Sequence, residues 1–221
     1  EWQLGLVPAT GRVLASRNFN SHAIRSVPRV IRIFPCRVRM SDNQQYNAYL
    51  LGRSFLGKIY RNWILYPRLC RYLQGQLLDV GCGIGDMLAF RDQTIGVDVN
   101  PLNVDHCRRL GLDARVMDFD ILPFETAQFD SVLLDNVLEH IADPTKILKE
   151  AHRVLKPGGR LMIGVPGLKG QRSDPDHKAA YDEDTLNVLA AQHGFPETKS
   201  FYMPLFKSAW LSEHVRQYCL Y

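Results

Sequence analysis

No stretch of this 221-residue chain holds the roughly 20 consecutive apolar residues that a membrane-spanning helix needs. The short apolar core of a secretory leader is missing too. Cysteine is sparse: Cys36, Cys70, Cys82, Cys107 and Cys219 are scattered, odd in number and without a CxxC pair. That spacing argues against a disulfide framework or a zinc site and fits a reducing compartment, so a cytoplasmic location is expected. Acids are absent between Asp42 and Asp79, where Arg53, Lys58, Arg61, Arg68 and Arg71 all fall. Internal repeats and low-complexity tracts are also lacking.

What is present is ordinary in bulk. The chain is 46% apolar and 23% charged, the proportions of a globular protein, and long enough for one substantial core. The net charge of +4 is unevenly spread. Residues 1–39 hold seven Arg, no Lys and one acid, a net +6, which leaves the rest of the chain at −2. A body of that charge gives no basic footprint for nucleic acid. The front end shows no sustained helical or strand period. Two readings stand: an over-extended start with Met40 the natural first residue, or an Arg-rich, acid-poor targeting peptide. The expected organisation is a non-core extension over 1–39, disordered or mis-assigned, a helical cap over 40–75 and a core domain over 76–221. The last apolar run stops without a polar tail, which leaves open whether Tyr221 is the natural end.

Leu50, Leu51, Phe55, Ile59, Trp63 and Ile64 recur at spacings of three and four, which predicts helix between Asn43 and Gln76. Gly52 and Gly57 weaken it, and Pro67 should break or restart it. Short apolar runs then alternate with helical patterns. Strands are predicted at 76–81, 94–99, 113–118, 129–136 and 159–166, and helices at 101–111, 144–155 and 182–193. Asp143 is placed to cap the helix that Pro144 opens, and the KPGG of 156–159 to stop it. Late strands are predicted within 198–206 and 215–221. Alternation of this kind implies an α/β fold, a doubly wound and mostly parallel sheet covered on both faces.

The segment LLDVGCGIGDML (77–88) runs a buried-looking strand into Gly81, Gly83 and Gly85. At the carboxyl end of a strand in such a sheet, glycines let backbone approach a ligand. A dinucleotide loop has the spacing GxGxxG. Here the third glycine comes one residue early, and Asp79 and Asp86 flank the loop, which suits a ligand with a cationic part. Asp98 ends the second strand, where a carboxylate accepts ribose hydroxyls. Asp118 and Phe119 close the third, placed for an adenine amine and ring.

The ordered series LLDVGCGIG, GVDVNP, MDFDILPFETAQFDSV, DNVLEHIADPTKILKEAHRVLKPGG and RLMIGVP resembles the class I S-adenosylmethionine-dependent methyltransferases of the broad small-molecule type (methyltransferase type 11-like). The resemblance covers Leu77 to about Pro166. It implies a Rossmann-like sheet of seven strands with a late antiparallel strand, S-adenosyl-L-methionine as cofactor, and a methyltransferase domain over 76–221. It further implies that Asp79, Gly81, Cys82, Gly83 and Gly85 line the amino-acid part of the cofactor. Asp98 would hold the ribose, Val99, Asp118 and Phe119 the adenine, and Asp135 and Asn136 would face the sulfonium and the acceptor.

Methyl transfer from a sulfonium needs positioning more than activation, so no metal is expected, and the sequence offers no ligand cluster. A hydroxyl acceptor asks for a base. His140 follows the fourth strand, and His177 sits with Asp176, Lys178 and Tyr181 after the fifth; these are the candidates. Cys82 reads as a small packing residue. The amino-group signature NPPY is absent and the body is acidic, so a small-molecule acceptor is expected and a nucleic acid is not. The basic, aromatic YRNWILYPRLCRYL (60–73) and SFYMPLFKSAWL (200–211) either close the cofactor pocket, burying Trp63, or touch lipid. The front of the core also resembles methyltransferases of surface-polysaccharide biosynthesis, which points to a sugar hydroxyl on a glycolipid-type acceptor. Two other functions remain in view: a cofactor-binding protein without turnover, and a nucleotide-cofactor oxidoreductase.

Overall fold

The computed structural model describes residues 42–221; the expectations for 1–39 and Met40 lie outside them. The N-terminal part holds α1 (Asp42–Leu51), α2 (Phe55–Tyr60), a π-helical turn (Arg61–Leu65) and α3 (Tyr66–Leu69). The core then alternates β1 (Leu77–Val80), α4 (Asp86–Phe90), β2 (Thr94–Asp98), α5 (Pro101–Arg109), β3 (Ala114–Val116) and β4 (Phe129–Asp135). A 3-10 turn (Leu138–His140), α6 (Thr145–Val154), β5 (Leu155–Pro166), α7 (Leu168–Gln171) and α8 (Glu183–Gln192) follow. The chain closes with β6 (Tyr202–Met203), α9 (Ala209–His214) and β7 (Cys219–Leu220).

The seven strands lie in the order β3-β2-β1-β4-β5-β7-β6. β1 to β5 are parallel, and β7 runs antiparallel to β5 and β6. The chain winds outward from β1 to β3, then returns to β4 on the other side of β1. The crevice between the carboxyl ends of β1 and β4 is therefore the topological switch point.

Strand alternation sorts the core. Leu78, Val80, Val132 and Leu134 face one side with Ile147, Leu148, Ala151 and Val154 of α6. Leu77 and Leu133 face the other side with Leu65, Tyr66 and Leu69. Burial of Ile147, Leu148 and Val154 stabilises the fold by roughly 2 kcal/mol each.

Three sequence expectations need correction. The stripe Leu51, Phe55, Ile59, Trp63 and Ile64 faces outward, with Trp63 79% exposed. The chain breaks at 52–54 between α1 and α2, and the π-helical turn then adds about a residue per turn, so no single stripe runs through the segment; Leu50, Leu65, Tyr66 and Leu69 are the buried set. Lys156–Gly159 is not a loop between helix and strand. β4 advances from Phe129 to Ser131 while β5 advances from Leu155 to Arg160, so the segment bulges inside the strand. Pro144 precedes α6 as its N-cap residue, and the Asp143 carboxylate accepts from the Thr145 amide at 3.0 Å.

Candidate functional site

The glycine loop is built against β2. The amides of Gly81 and Cys82 donate to the Val97 carbonyl at 2.8 and 3.0 Å. Gly83 has φ +55 and turns its amide onto Asp98 Oδ2 at 2.8 Å. Gly85 has φ +82 and opens α4; a Cβ there would lie 2.8 Å from Leu112 Cδ1 and 2.9 Å from Cys107 Sγ. The third glycine thus serves close packing on α5, while the first two border the crevice. The Cys82 thiol is pushed up by its hydrogen bond with Cys107 and by burial, so it stays protonated, as a packing residue would.

Asp98 is 5% exposed and heavily bonded. Besides Gly83, it accepts from the Asn100 amide at 2.8 Å and Asn103 Nδ2 at 3.3 Å. Burial pushes its carboxyl up, and these three donors oppose that shift. Helix α1 caps the arrangement. Asn47 Nδ2 donates to Asn103 Oδ1 at 2.9 Å, Asn100 Nδ2 donates to the Asn43 carbonyl at 3.0 Å, and Leu50 sits over Gly83.

A cleft of about 490 Å³ opens at the switch point, lined by Asp79, Gly81, Cys82, Gly83, Asp135, Asn136, Glu139, His140 and His177. Arg53, between α1 and α2, with Tyr60 of α2 and Arg61 of the π-helical turn, also lines it. Asp79 is also 5% exposed. Burial, with Asp135 and Asp98 beside it, raises its carboxyl well above the usual carboxylate range. Among the described residues no donor reaches its side chain. Asp135 is better served: Tyr221 Oη donates at 2.8 Å and Asn136 Nδ2 at 2.9 Å, although burial still raises it. Asp86, expected beside Asp79 as a second free acid, is instead paired with Arg61 at 3.0 Å and Arg53 at 3.7 Å. Asn136 carries φ +56 at the end of β4, a conformation asparagine tolerates better than most residues.

The predicted adenine residues stand apart from this cleft. Val99 and Phe119 are exposed, and the Lys178 ammonium lies 5.9 Å over the Phe119 ring. Asp118 is exposed and bridges to Ile121. None of the three lines the cleft, nor does Asp98. A wider groove of about 1240 Å³ runs beside the amino end of β5, and none of its lining residues is a buried, unpartnered polar group.

His140 and His177 meet: their rings lie 4.7 Å apart. The loop that carries His177 is tied to the 3-10 turn, because the Lys178 and Ala179 amides donate to the Glu139 carbonyl at 2.7 and 3.2 Å. Burial and His177 lower the His140 imidazole, which keeps it neutral. Glu139 was not singled out from sequence. It is 1% exposed, and neither carboxyl oxygen has a partner. Burial pushes it up to about 8, with Asp135 and Asp174 adding to the shift. The available signal was an acid directly before a candidate histidine; its burial follows only from the fold. The N-terminal residues Arg53, Tyr60 and Arg61 were likewise invisible as cleft residues.

A doubly wound sheet with a glycine loop and an uncompensated acid at its switch point defines a Rossmann-like fold with a ligand crevice. Residues 78–163 match the family described as Methyltransferase domain. That match, with the SAM-dependent methyltransferases among the structures of similar fold, implies S-adenosyl-L-methionine as the cofactor. The Ubiquinone biosynthesis O-methyltransferase of Xanthomonas oryzae is 36% identical over 154 residues, 62% of this chain and 60% of that protein. The human protein named Probable tRNA methyltransferase 9B is 36% identical over 161 residues, 63% of this chain and 36% of that protein. The matched segments span between 25% and 60% of the length of such curated relatives. A SAM-dependent methyltransferase from Thermotoga maritima shares the fold, with a TM-score of 0.65 at 21% identity over 80% of this chain and 95% of that one.

The residues present fit such a cofactor. An uncompensated buried carboxylate at Asp79 faces the cleft where a cationic group would offset its desolvation.

Proposed function

We propose that this chain catalyses S-adenosylmethionine-dependent methyl transfer to a hydroxyl of a small or lipid-linked acceptor. The observation that carries the reading is Asp79, a desolvated carboxylate without a donor, set at the switch point beside Gly81, Cys82 and Gly83. Bound S-adenosylmethionine supplies a methyl group on a sulfonium, already activated for in-line displacement. In this reading Asp79 and the glycine loop hold the cationic amino-acid end, with Gly85 fixing the loop on α5. Asp98, whose Oδ2 takes one bond from within the chain, from the Gly83 amide, would accept a ribose hydroxyl there. Val99, Asp118 and Phe119 form the adenine edge, and Asp135 and Asn136 present the rim toward the acceptor.

His140 and His177 stand where a hydroxyl proton would be taken. His177 Nδ1 lies 3.0 Å from the Gln171 carbonyl. Donation there leaves Nε2 as the acceptor.

The acceptor class draws support from the N-terminal helices. Gly57, Tyr60 and Arg61 line the cleft, while Phe55, Leu56 and Trp63 are exposed on the same N-terminal segment, which also carries the exposed cations Lys58 and Arg71. An apolar ridge with flanking positive charge at the mouth suits peripheral contact with an anionic lipid surface. Among the described residues no helix is long and apolar enough to cross a membrane. On this proposal residues 40–75 form the cap and 76–221 the catalytic domain.

Calorimetry with S-adenosylmethionine, against nicotinamide dinucleotide as control, tests the core of the reading. Micromolar binding of the sulfonium alone is expected; binding of the dinucleotide alone overturns it. Labelled-methyl transfer to glycolipid, phenolic and tRNA acceptors then tests the acceptor, and transfer to tRNA alone would replace the hydroxyl-on-lipid assignment.

A further inference from the structure

Glu139, His140 and His177 each offer one ligand atom, and these atoms lie within 4.8 Å of one another. The grouping joins two neighbours on the 3-10 turn to a residue from a distant loop. Three observations distinguish it from chance proximity. Glu139 is 1% exposed with both oxygens unpartnered, and an unpaired carboxylate so placed carries a large desolvation cost unless a cation meets it. His177 is oriented by the Gln171 carbonyl at Nδ1, the outer contact that fixes a metal-binding imidazole with its other nitrogen free. The Glu139 carbonyl, bonded by two amides of the His177 loop, holds the two halves of the cluster in register.

We propose that Glu139, His140 and His177 form a three-ligand site for a divalent transition cation at the acceptor end of the cleft. Two imidazoles and one carboxylate are a donor set suited to zinc and its neighbours. Bonds of about 2.0–2.2 Å would draw the three atoms in by less than about an ångström from their present spread. Asp174 Oδ2 lies 4.0 Å from His177 Nε2. With three protein ligands a position stays open, the arrangement of a catalytic rather than a structural ion. An acceptor oxygen bound there would have its hydroxyl pKa lowered by the cation, so that its proton passes to solvent in the cleft, and the imidazoles would act as ligands instead of proton acceptors. The cation site stands on geometry alone; only its use by an acceptor rests on the methyl-transfer reading.

The test uses the full chain, stripped with a chelator and titrated with Zn²⁺ by calorimetry and with Co²⁺ by visible absorption. One ion per chain is expected, with a cobalt spectrum typical of mixed nitrogen and oxygen ligands. Glu139→Gln, which keeps the shape of the side chain, and His177→Ala should each weaken binding at least about tenfold. His193→Ala, at the far end of α8, should leave it unchanged. Retained S-adenosylmethionine affinity in Glu139→Gln verifies that the variant is folded. Absence of stoichiometric binding, or binding indifferent to both substitutions, overturns the site. Cation binding without S-adenosylmethionine binding would keep the site and remove the methyl-transfer reading; the reverse result would do the opposite.

Discussion

Asp79 and Asp98 sit near the carboxyl ends of adjacent parallel strands and are equally hidden, at 5% exposure each. Their surroundings are opposite. Asp98 is met by three donors and holds the glycine loop to the turn after β2. Asp79 has no donor and two acids beside it that raise it further. The same residue type is thus a keystone of the fold at one strand end and an unsettled charge at the next. The difference shows where the chain organises itself and where it depends on a ligand: a buried acid that the protein bonds fully is structural first, and one that it leaves bare favours a cation.

The comparison can be broken in four ways. Asp98→Ala should have the largest effect. Loss of three hydrogen bonds to a charged group should cost about 3 kcal/mol in denaturant melts, and cofactor affinity should fall together with stability. A variant that is destabilised yet binds S-adenosylmethionine unchanged would show that Asp98 only braces the loop. Gly85→Ala comes next, at about 2 kcal/mol, because it combines φ +82 with close contact on Cys107 and Leu112. Its effect should fall on stability more than on affinity once the protein is folded.

Asp79→Asn should behave in the contrary way, losing affinity while gaining stability. The sign follows from linkage. The Asp79 carboxyl is raised in the folded state, so the folded chain retains a proton that the unfolded chain releases. Stability from this group is full below the unfolded value of about 3.9 and is lost as pH rises toward the folded one. The ligand-free wild type should therefore weaken across that window in urea melts, and the asparagine variant should weaken less. Weakening of equal slope in both would place the acid stress elsewhere. Smallest of all, Trp63→Ser should leave stability within about 0.5 kcal/mol and reduce co-sedimentation with anionic vesicles; unchanged sedimentation would remove the lipid contact.

Much of this was legible before the fold was known. Alternating apolar runs placed β1 to β5, and the acids at the strand ends were found because a parallel sheet puts ligands there. Three things were not legible. The N-terminal stripe is cut by the break at 52–54 and by the π-helical turn at Arg61–Leu65, and periodicity at 3.6 residues has no term for either. The pairing of Asp86 with Arg61 and Arg53 is a tertiary contact, so the two flanking acids looked alike when only Asp79 is bare. The cluster of Glu139 with His140 and His177 needs a loop that returns over the end of β4, a long-range closure that residue spacing does not encode.

Helix α1 has ten residues, fewer than an isolated helix needs to persist in water. Its inner side rests on Gly83, Asn100 and Asn103, while Tyr46, Tyr49 and Leu51 are exposed. Its folding is therefore coupled to the state of the surface beneath it. Whatever is seated against Gly83 and Asp98 competes with Leu50 or adds to it, so the opening free energy of this helix is a built-in gauge of occupancy. Amide hydrogen exchange over residues 42–51 should read that gauge directly, with protection that changes on ligand addition before any acceptor is present.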